Sequence, residues 1–374
     1  MEKVKFRDVT INMDSRRKPL NSSDREKISE KKLYPYCGAN SIMDYVDEYL
    51  FDEEILCIAE DGGKWGKNEE CSYIMRGKCW VNNHAHVIKA TDKVDLRYLK
   101  YWLNYNDLNS QITGAIVRKL TQKALNELEI VLPEKDKQVY ICNTFDKIQE
   151  IIYFKRKQIE ELDKLIKSQF VEMFENDKKE TLLTDVVWFQ EGPGVRSTDF
   201  TEDGTILLTG SNINNNTINF GFKSDRYISK SLSNGKYKHF MCDKDDILVV
   251  SSAIDPNKFD KKIVIVEEDN KYCLNTGIIR FKPNSDIFTI GYFREFLKTD
   301  YFKSQVINQM RGIAQMHFGP SHLKKMRVII PESKEKQIQL EKFVKLIDTQ
   351  KFVIVMTTKE IENFKNVLTR KSYR

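Results

Sequence analysis

No run of eighteen or more apolar residues occurs in the chain, so no segment is long enough to cross a membrane as a helix. The opening Met1-Glu2-Lys3-Val4-Lys5-Phe6-Arg7 has no apolar signal core, and a cytoplasmic location is the expectation. The seven cysteines (Cys37, Cys57, Cys71, Cys79, Cys142, Cys242 and Cys273) form no C-x-x-C pair. An odd, dispersed set fits reduced thiols better than a disulfide framework. Cys71, Cys79, His84 and His86 are the nearest approach to a zinc set, but their spacing matches no common module, and no metal is expected.

Catalytic motifs are missing too. There is no G-x-G-x-x-G, no P-loop and no G-x-S-x-G elbow. Asp255-Pro256-Asn257-Lys258 lacks the second proline and the aromatic residue of an amino-methyltransferase motif. Asp260, Asp269 and Lys271 could be forced into a nuclease set, but charged residues make up 31% of the chain and such a match arises by chance. No catalytic residue is assigned, and a non-enzymatic role is expected.

What is present is a soluble globular composition, 40% hydrophobic, in 374 residues, enough for two or three domains. The net charge of +6 permits a polyanionic partner without requiring one. Asp44, Asp47, Glu48, Asp52, Glu53, Glu54 and Asp61 make the first region locally acidic, so any nucleic-acid surface there must be local. Short strands are expected at 4–11, 34–40, 54–60 and 79–88, with a helix at 96–103. In the second half, strands are expected at 186–189, 205–208, 247–250, 262–266 and 278–281, with a helix at 290–297. His84 and His86, two apart in one strand, would face the same side.

The halves repeat. Gly114 and Gly312, Leu120 and Phe318, Leu125 and Leu323, Leu128 and Met326, and Pro133 and Pro331 all pair at an offset of 198. Glu53-Glu54-Ile55-Leu56 echoes Asp245-Asp246-Ile247-Leu248. After each proline comes a charged helical run. The first carries Ile141, Phe145, Ile148, Ile152, Ile159, Leu162 and Ile166 in alternating steps of three and four, broken at Lys155. The second carries Leu340, Val344, Ile347, Ile354, Ile361 and Leu368, with Lys351 and Thr358 also in the stripe. This spacing is that of a coiled-coil seam. Each helix would run for about 60 Å at 1.5 Å per residue, and neither stripe could stay exposed. Antiparallel pairing of the two is therefore expected, holding the domains apart. The fold expected is α+β: two tandem α/β domains and two long helices forming an antiparallel coiled coil, as a pseudo-twofold internal repeat. The boundaries are 1–133, 134–177, 178–331 and 332–374.

Several stretches carry a family resemblance. They are Tyr34-Pro35-Tyr36-Cys37-Gly38-Ala39-Asn40, Asp44-Tyr45-Val46-Asp47, the run 55–62, and Trp80-Val81-Asn82-Asn83-His84-Ala85-His86-Val87. With the paired Leu-Pro-Glu and Ile-Pro-Glu junctions, each followed by a glutamine, they resemble the specificity (S) subunit of type I restriction–modification systems. The second domain departs from the first domain's class, with Gly210-Ser211-Asn212-Ile213-Asn214 where Gly38-Ala39-Asn40 stands. The resemblance implies a non-catalytic chain whose two target recognition domains each bind one half of a two-part duplex DNA sequence. The coiled coil would fix the spacer and dock two methyltransferase (modification) subunits, and through them the restriction and translocation subunits. S-adenosylmethionine, ATP and Mg would belong to those partners, with no cofactor in this chain. Rival readings are a coiled-coil scaffold that binds no DNA, or the recognition part of a methyltransferase or nuclease of another type.

Under that reading Asn40, Ser41, Lys64, Trp65, Asn82, Asn83 and His84 are the DNA-contacting candidates of the first domain. Asparagine is of interest because it can bond adenine at two atoms at once. In the second domain they are Arg196, Ser211, Asn212, Arg226, Lys236, Arg311 and Gln315.

Overall fold

A computed structural model describes residues 2–114, 116–309 and 317–372. Its contacts divide the chain into two units, Met1–Arg156 with Val355–Arg374, and Lys157–Ile354. Each unit holds one mixed α/β domain and one half of each long helix.

In the first unit a four-stranded antiparallel sheet runs in the order Thr10–Asn12, Ala85–Ala90, Ile55–Ala59, Ser72–Met75. Every residue of Ile55–Ala59 is buried. Because side chains alternate along a strand, Leu56 and Ile58 enter one apolar cluster while Ile55 and Cys57 enter another. Burial of each such aliphatic stabilises by about 1.5–3 kcal/mol. A second sheet has the order Ile42–Val46, Tyr34–Cys37, Lys78–Val81, Phe51–Asp52, and its middle pair is parallel.

The second unit repeats the plan. Val187–Glu191, Ile278–Pro283, Ile247–Val250 and Ile263–Ile265 form the antiparallel sheet. Phe200–Thr201, Arg226–Ile228, Thr205–Leu208 and Tyr272–Leu274 form the other, again with one parallel pair. In both units a two-stranded ribbon closes the domain: Glu2–Lys5 with Glu129–Leu132, and Glu180–Leu182 with Arg327–Ile329. The expected strand at 4–11 is interrupted by a helical turn at Phe6–Val9, which buries Phe6 and Val9 together.

The expected strand at 79–88 is two strands. Lys78–Val81 and Ala85–Ala90 belong to different sheets. The Asn82 side chain accepts the His84 backbone N–H at 2.9 Å and turns the chain between them. His84 and His86 consequently do not share a face: His84 is exposed and His86 is buried.

The long helices are Lys135–Phe174 and Lys334–Ser372. In the second unit Lys351 pairs with Asp163 at 2.5 Å, and Lys336 Nζ donates to the Met173 carbonyl at 3.3 Å, so the helices run antiparallel. In the first unit Arg156 meets Glu362 at 3.5 Å. The interruption of the second stripe at Lys351 is thus a cation held by a carboxylate on the facing helix. Ile148, Ile152, Ile166, Leu340, Val344, Ile347 and Ile354 are buried; Ile159, Leu162, Ile361 and Leu368 are half-buried.

The stripes do more than face each other. Ile141 and Phe145 pack on the domain helix Leu96–Tyr105, with Phe145 5.2 Å from the Tyr101 ring and 5.1 Å from that of Tyr105. Phe170 likewise stacks at 5.3 Å on Tyr292 of the helix Ile290–Phe296. Each domain therefore covers part of a seam that two helices alone were expected to cover. The joint is a buried glutamine in both units. Gln138 accepts the Asp95 N–H at 2.8 Å and donates to the carbonyls of Lys93 and Pro133. Gln337 accepts the Thr289 N–H at 2.8 Å and donates to the Ile287 carbonyl. Asp95 and Thr289 are the N-caps of the two domain helices, so each long helix is tied to the start of its domain's helix.

Candidate nucleic-acid interface

Strand direction decides what gathers in the first domain. Cys37 and Val81 are parallel neighbours, and Ala59 pairs with Ala85. The turns after Cys37, after Ala59 and between Val81 and Ala85 therefore come together at one end of the domain. Asn40 Nδ2 donates to the Gly62 carbonyl at 3.0 Å. His84 Nδ1 meets Asp61 at 2.7 Å, and the Glu60 N–H donates to the His84 carbonyl at 2.9 Å. Asn40, Ser41, Lys64, Asn83 and His84 are all exposed there.

Two candidates are placed otherwise. Trp65 is 2% exposed and donates its indole N–H to the Ala59 carbonyl at 3.3 Å, so it is part of the core beneath the surface and not a stacking platform. Asn82 is 3% exposed, and its Oδ1 is committed to the His84 N–H. Two-point bonding to adenine needs that oxygen, one of whose lone pairs is already taken by the turn, whereas Nδ2 has the Met43 thioether at 3.7 Å.

Under the three turns lies a charged network that sequence reasoning did not single out. Glu60 accepts from Arg17 at 2.6 Å and from Lys119 at 2.7 Å. Asp14 meets Arg17 at 3.3 Å and His86 Nδ1 at 2.6 Å, while His86 Nε2 faces the Leu120 carbonyl at 2.8 Å. A carbonyl oxygen only accepts, so His86 Nε2 donates to Leu120 and leaves Nδ1 facing Asp14. Burial pushes the Asp14 carboxyl up, but the bond and charge of His86 outweigh it and leave Asp14 below the usual carboxylate range. Glu60 follows the same pattern: burial raises it, and Lys119 and Arg17 bring it below its ordinary value. Asp14, Glu60 and His86 form the one group among the described residues with ligand-type atoms close enough to hold a metal ion. Their lone pairs and ring nitrogens are already matched by Arg17, Lys119 and Leu120, so the arrangement works as an ion-pair network. Cys71 and Cys79 lie in different apolar clusters, and the zinc set considered from the sequence does not assemble.

The second domain's candidates are spread wider. Asn212 is 1% exposed, with Oδ1 accepting from Thr209 and Nδ2 donating to the Asn219 carbonyl and to Asp225. All its polar atoms are used inside the loop, so it shapes the loop and has nothing left for a base. Ser211 is exposed and shares a hydrogen bond of 2.8 Å with Thr209. Lys262, not anticipated, pins this loop by donating to the Ile213 carbonyl at 2.8 Å, and burial pushes its pKa down. Arg226 is half-buried and lies 5.9 Å over the Phe200 ring. Lys236 pairs with Asp199 at 3.0 Å, and Tyr237 donates to the same carboxylate at 2.7 Å. Tyr237, Lys236 and the nearby charge of Arg196 hold Asp199 below its usual range. Arg311 and Gln315 lie outside the described residues. Asp260 and Asp269, considered for a nuclease, are separately engaged by Lys167 and by the Lys244 N–H.

A repeated α/β domain, each copy joined to a long helix, defines a two-domain scaffold, with polar turns converging at one end of the first domain. The family profile described as "Type I restriction modification DNA specificity domain" matches residues 1–164 and again 175–363, and the chain belongs to that family. A Haemophilus influenzae protein named putative type I restriction enzyme specificity subunit is 26% identical over 344 residues, covering 86% of this chain and 81% of that one. The type I restriction enzyme MjaVIII specificity subunit of Methanocaldococcus jannaschii is 23% identical over 351 residues, covering 84% and 79%. The S subunit of a type I system from M. genitalium has the same fold, with a TM-score of 0.57 at 16% identity, covering 100% of this chain and 96% of that one.

Proposed function

We propose that this chain is the DNA sequence-specificity subunit of a type I restriction–modification complex, with each domain reading one half of a two-part target. The observation that carries the reading is the double match of the specificity-domain profile, one match per structural repeat. The converging turns of the first domain supply donors and cations of the kind that contact base edges and phosphates. The chain itself carries no chemistry in this reading; S-adenosylmethionine, ATP and Mg belong to its partners. Its work on DNA takes place in the cytoplasm in this reading; among the described residues no helix is long and apolar enough to cross a membrane.

The helical regions dock two methyltransferase subunits, and repetition supports this. Tyr153 and Phe352, Phe154 and Val353, and Leu165 and Phe364 are all exposed and stand 199 positions apart in each case. Single exposed apolar residues are ordinary, but the same three positions exposed in both copies are what two equivalent docking surfaces need. Restriction subunits then join through the methyltransferases.

Single-molecule methylome sequencing with and without the gene tests the assignment: one two-part motif should lose its methylation on deletion. Inserting one heptad after Glu134 should change the spacer and leave both half-sites intact. An unchanged spacer would remove the ruler role, and failure of the assembled complex to bind any duplex would favour a scaffold without DNA.

A further inference from the structure

Asn82 has a donor with no strong partner. Its Oδ1 is bound to the His84 N–H, which fixes the orientation of the amide and turns Nδ2 towards the surface turn 38–43. The partner that Nδ2 has among the described residues is the Met43 thioether at 3.7 Å, and sulfur is a weak acceptor. A buried amide donor left at that level is costly unless something else engages it.

Met43 itself is 60% exposed on the edge strand Ile42–Val46. Gly38 gives it room: a Cβ there would come within 2.2 Å of the Met43 sulfur. A long, unbranched, polarisable side chain thus lies over a buried donor, at the end of the domain where Asn40, Asn83 and His84 also gather. Being open to solvent and flexible, it can slide sideways without disturbing the core.

A hydrogen-bond donor directly beside an apolar surface matches one base edge in the major groove. Thymine presents the O4 acceptor next to its C5-methyl group. Cytosine puts a donating amine where O4 stands, and would oppose the Asn82 donor. Guanine and adenine offer acceptors but no methyl group. We propose that Met43 and Asn82 form a thymine-reading pair in the first half-site, with Asn82 Nδ2 donating to O4 and the Met43 thioether moving aside to pack on the C5-methyl. This rests on the DNA-specificity reading above and deepens it, assigning Met43 a role and replacing two-point adenine reading by Asn82.

The test uses the complex of the full chain with its methyltransferase subunits and a duplex carrying its methylated motif. Each thymine of the first half-site is replaced in turn by uracil, which removes only the methyl group. One position should cost the wild-type complex about fourfold in affinity, the worth of one buried methyl. Met43→Ala should abolish that penalty at that position and leave the second half-site untouched. Since Met43 is exposed, this variant should fold as the wild type does. Asn82→Ala should lose the preference for thymine over cytosine at the same position. The proposal is overturned if no uracil matters, if the penalty survives Met43→Ala, or if the first half-site contains no thymine. If the wild-type complex binds no motif at all, it is the specificity reading that fails, a result distinct from these.

Discussion

In the first domain Ile88 sits opposite Leu56 in the antiparallel sheet; in the second the same place opposite Leu248 is taken by Arg280. Arg280 is 5% exposed and bonds Asp246 at 3.2 Å, Gln190 at 2.6 Å and the carbonyls of Met241 and His239. At the turns the contrast reverses. The first domain joins Lys119 to Glu60 at 2.7 Å, whereas in the second His317 and Ser252 meet at 3.0 Å at the corresponding turns. A duplicated scaffold can thus place its buried charge either within the sheet or at the recognition end. Buried ion pairs seldom add stability over an apolar replacement, so their placement reflects specificity or order more than strength.

The largest effect should come from breaking the second domain's pair on one side. Arg280→Met takes away the buried cation that faces Asp246 and leaves that carboxylate with only the Asp243 N–H at 2.7 Å and Lys282 at 3.4 Å, at a cost of about 3 kcal/mol in denaturant unfolding. Adding Asp246→Leu should recover much of that loss, making the second domain's sheet resemble the first. If the double variant is no better than the single, the pair is not what distinguishes the sheets.

Acid should then separate the domains. The folded Glu60 and Asp14 carboxyls lie below their ordinary values of 4.5 and 3.8, so the stability they contribute is full above those values. It is lost as pH falls through their folded values. Asp246 has the opposite sign: burial raises it, offset in part by the Asp243 N–H and Arg280, so its cost is relieved as pH falls through its folded value. Thermal unfolding of wild type and Glu60→Gln from pH 7 to pH 3 should show a gap that closes on acidification; a gap constant across the range would mean that the charge of Glu60 contributes nothing.

The smallest effect belongs to the exposed rim. Lys236→Ala should lower affinity for all sequences alike and reduce the salt slope of DNA binding by about one. A change confined to one base position would instead make Lys236 a reader.

Much of this was legible in the sequence where one rule dominated. Thr205–Leu208 and Ile247–Val250 are strands over the expected residues, because short apolar runs bounded by turns leave little choice. The helix expected at 96–103 is Leu96–Tyr105, starting where Leu96, Leu99 and Leu103 at helical spacing place it and running two residues further. What was missed depends on contacts between distant residues. Nothing local distinguishes the buried Trp65 from a stacking tryptophan, or shows that Asn82 breaks an apparently continuous strand. Met43 gave no signal, since an isolated methionine reads as core until its exposure is known. The Asp14–Arg17–Glu60–His86–Lys119 network draws on four separate stretches of chain, beyond the reach of any spacing rule.

The glutamines at the two joints have a mechanical consequence. Gln138 ties three backbone groups, one from the helix start and two from flanking segments, with a single buried amide. A joint made of backbone hydrogen bonds on a short side chain has almost no play. Any twist of the long helix at that point must turn the domain helix with it, and with that helix the sheet it packs on, whose strand Ala85–Ala90 follows the turn of Asn82 and His84. The domain is therefore less a hand on a flexible wrist than a key blade forged onto its shaft.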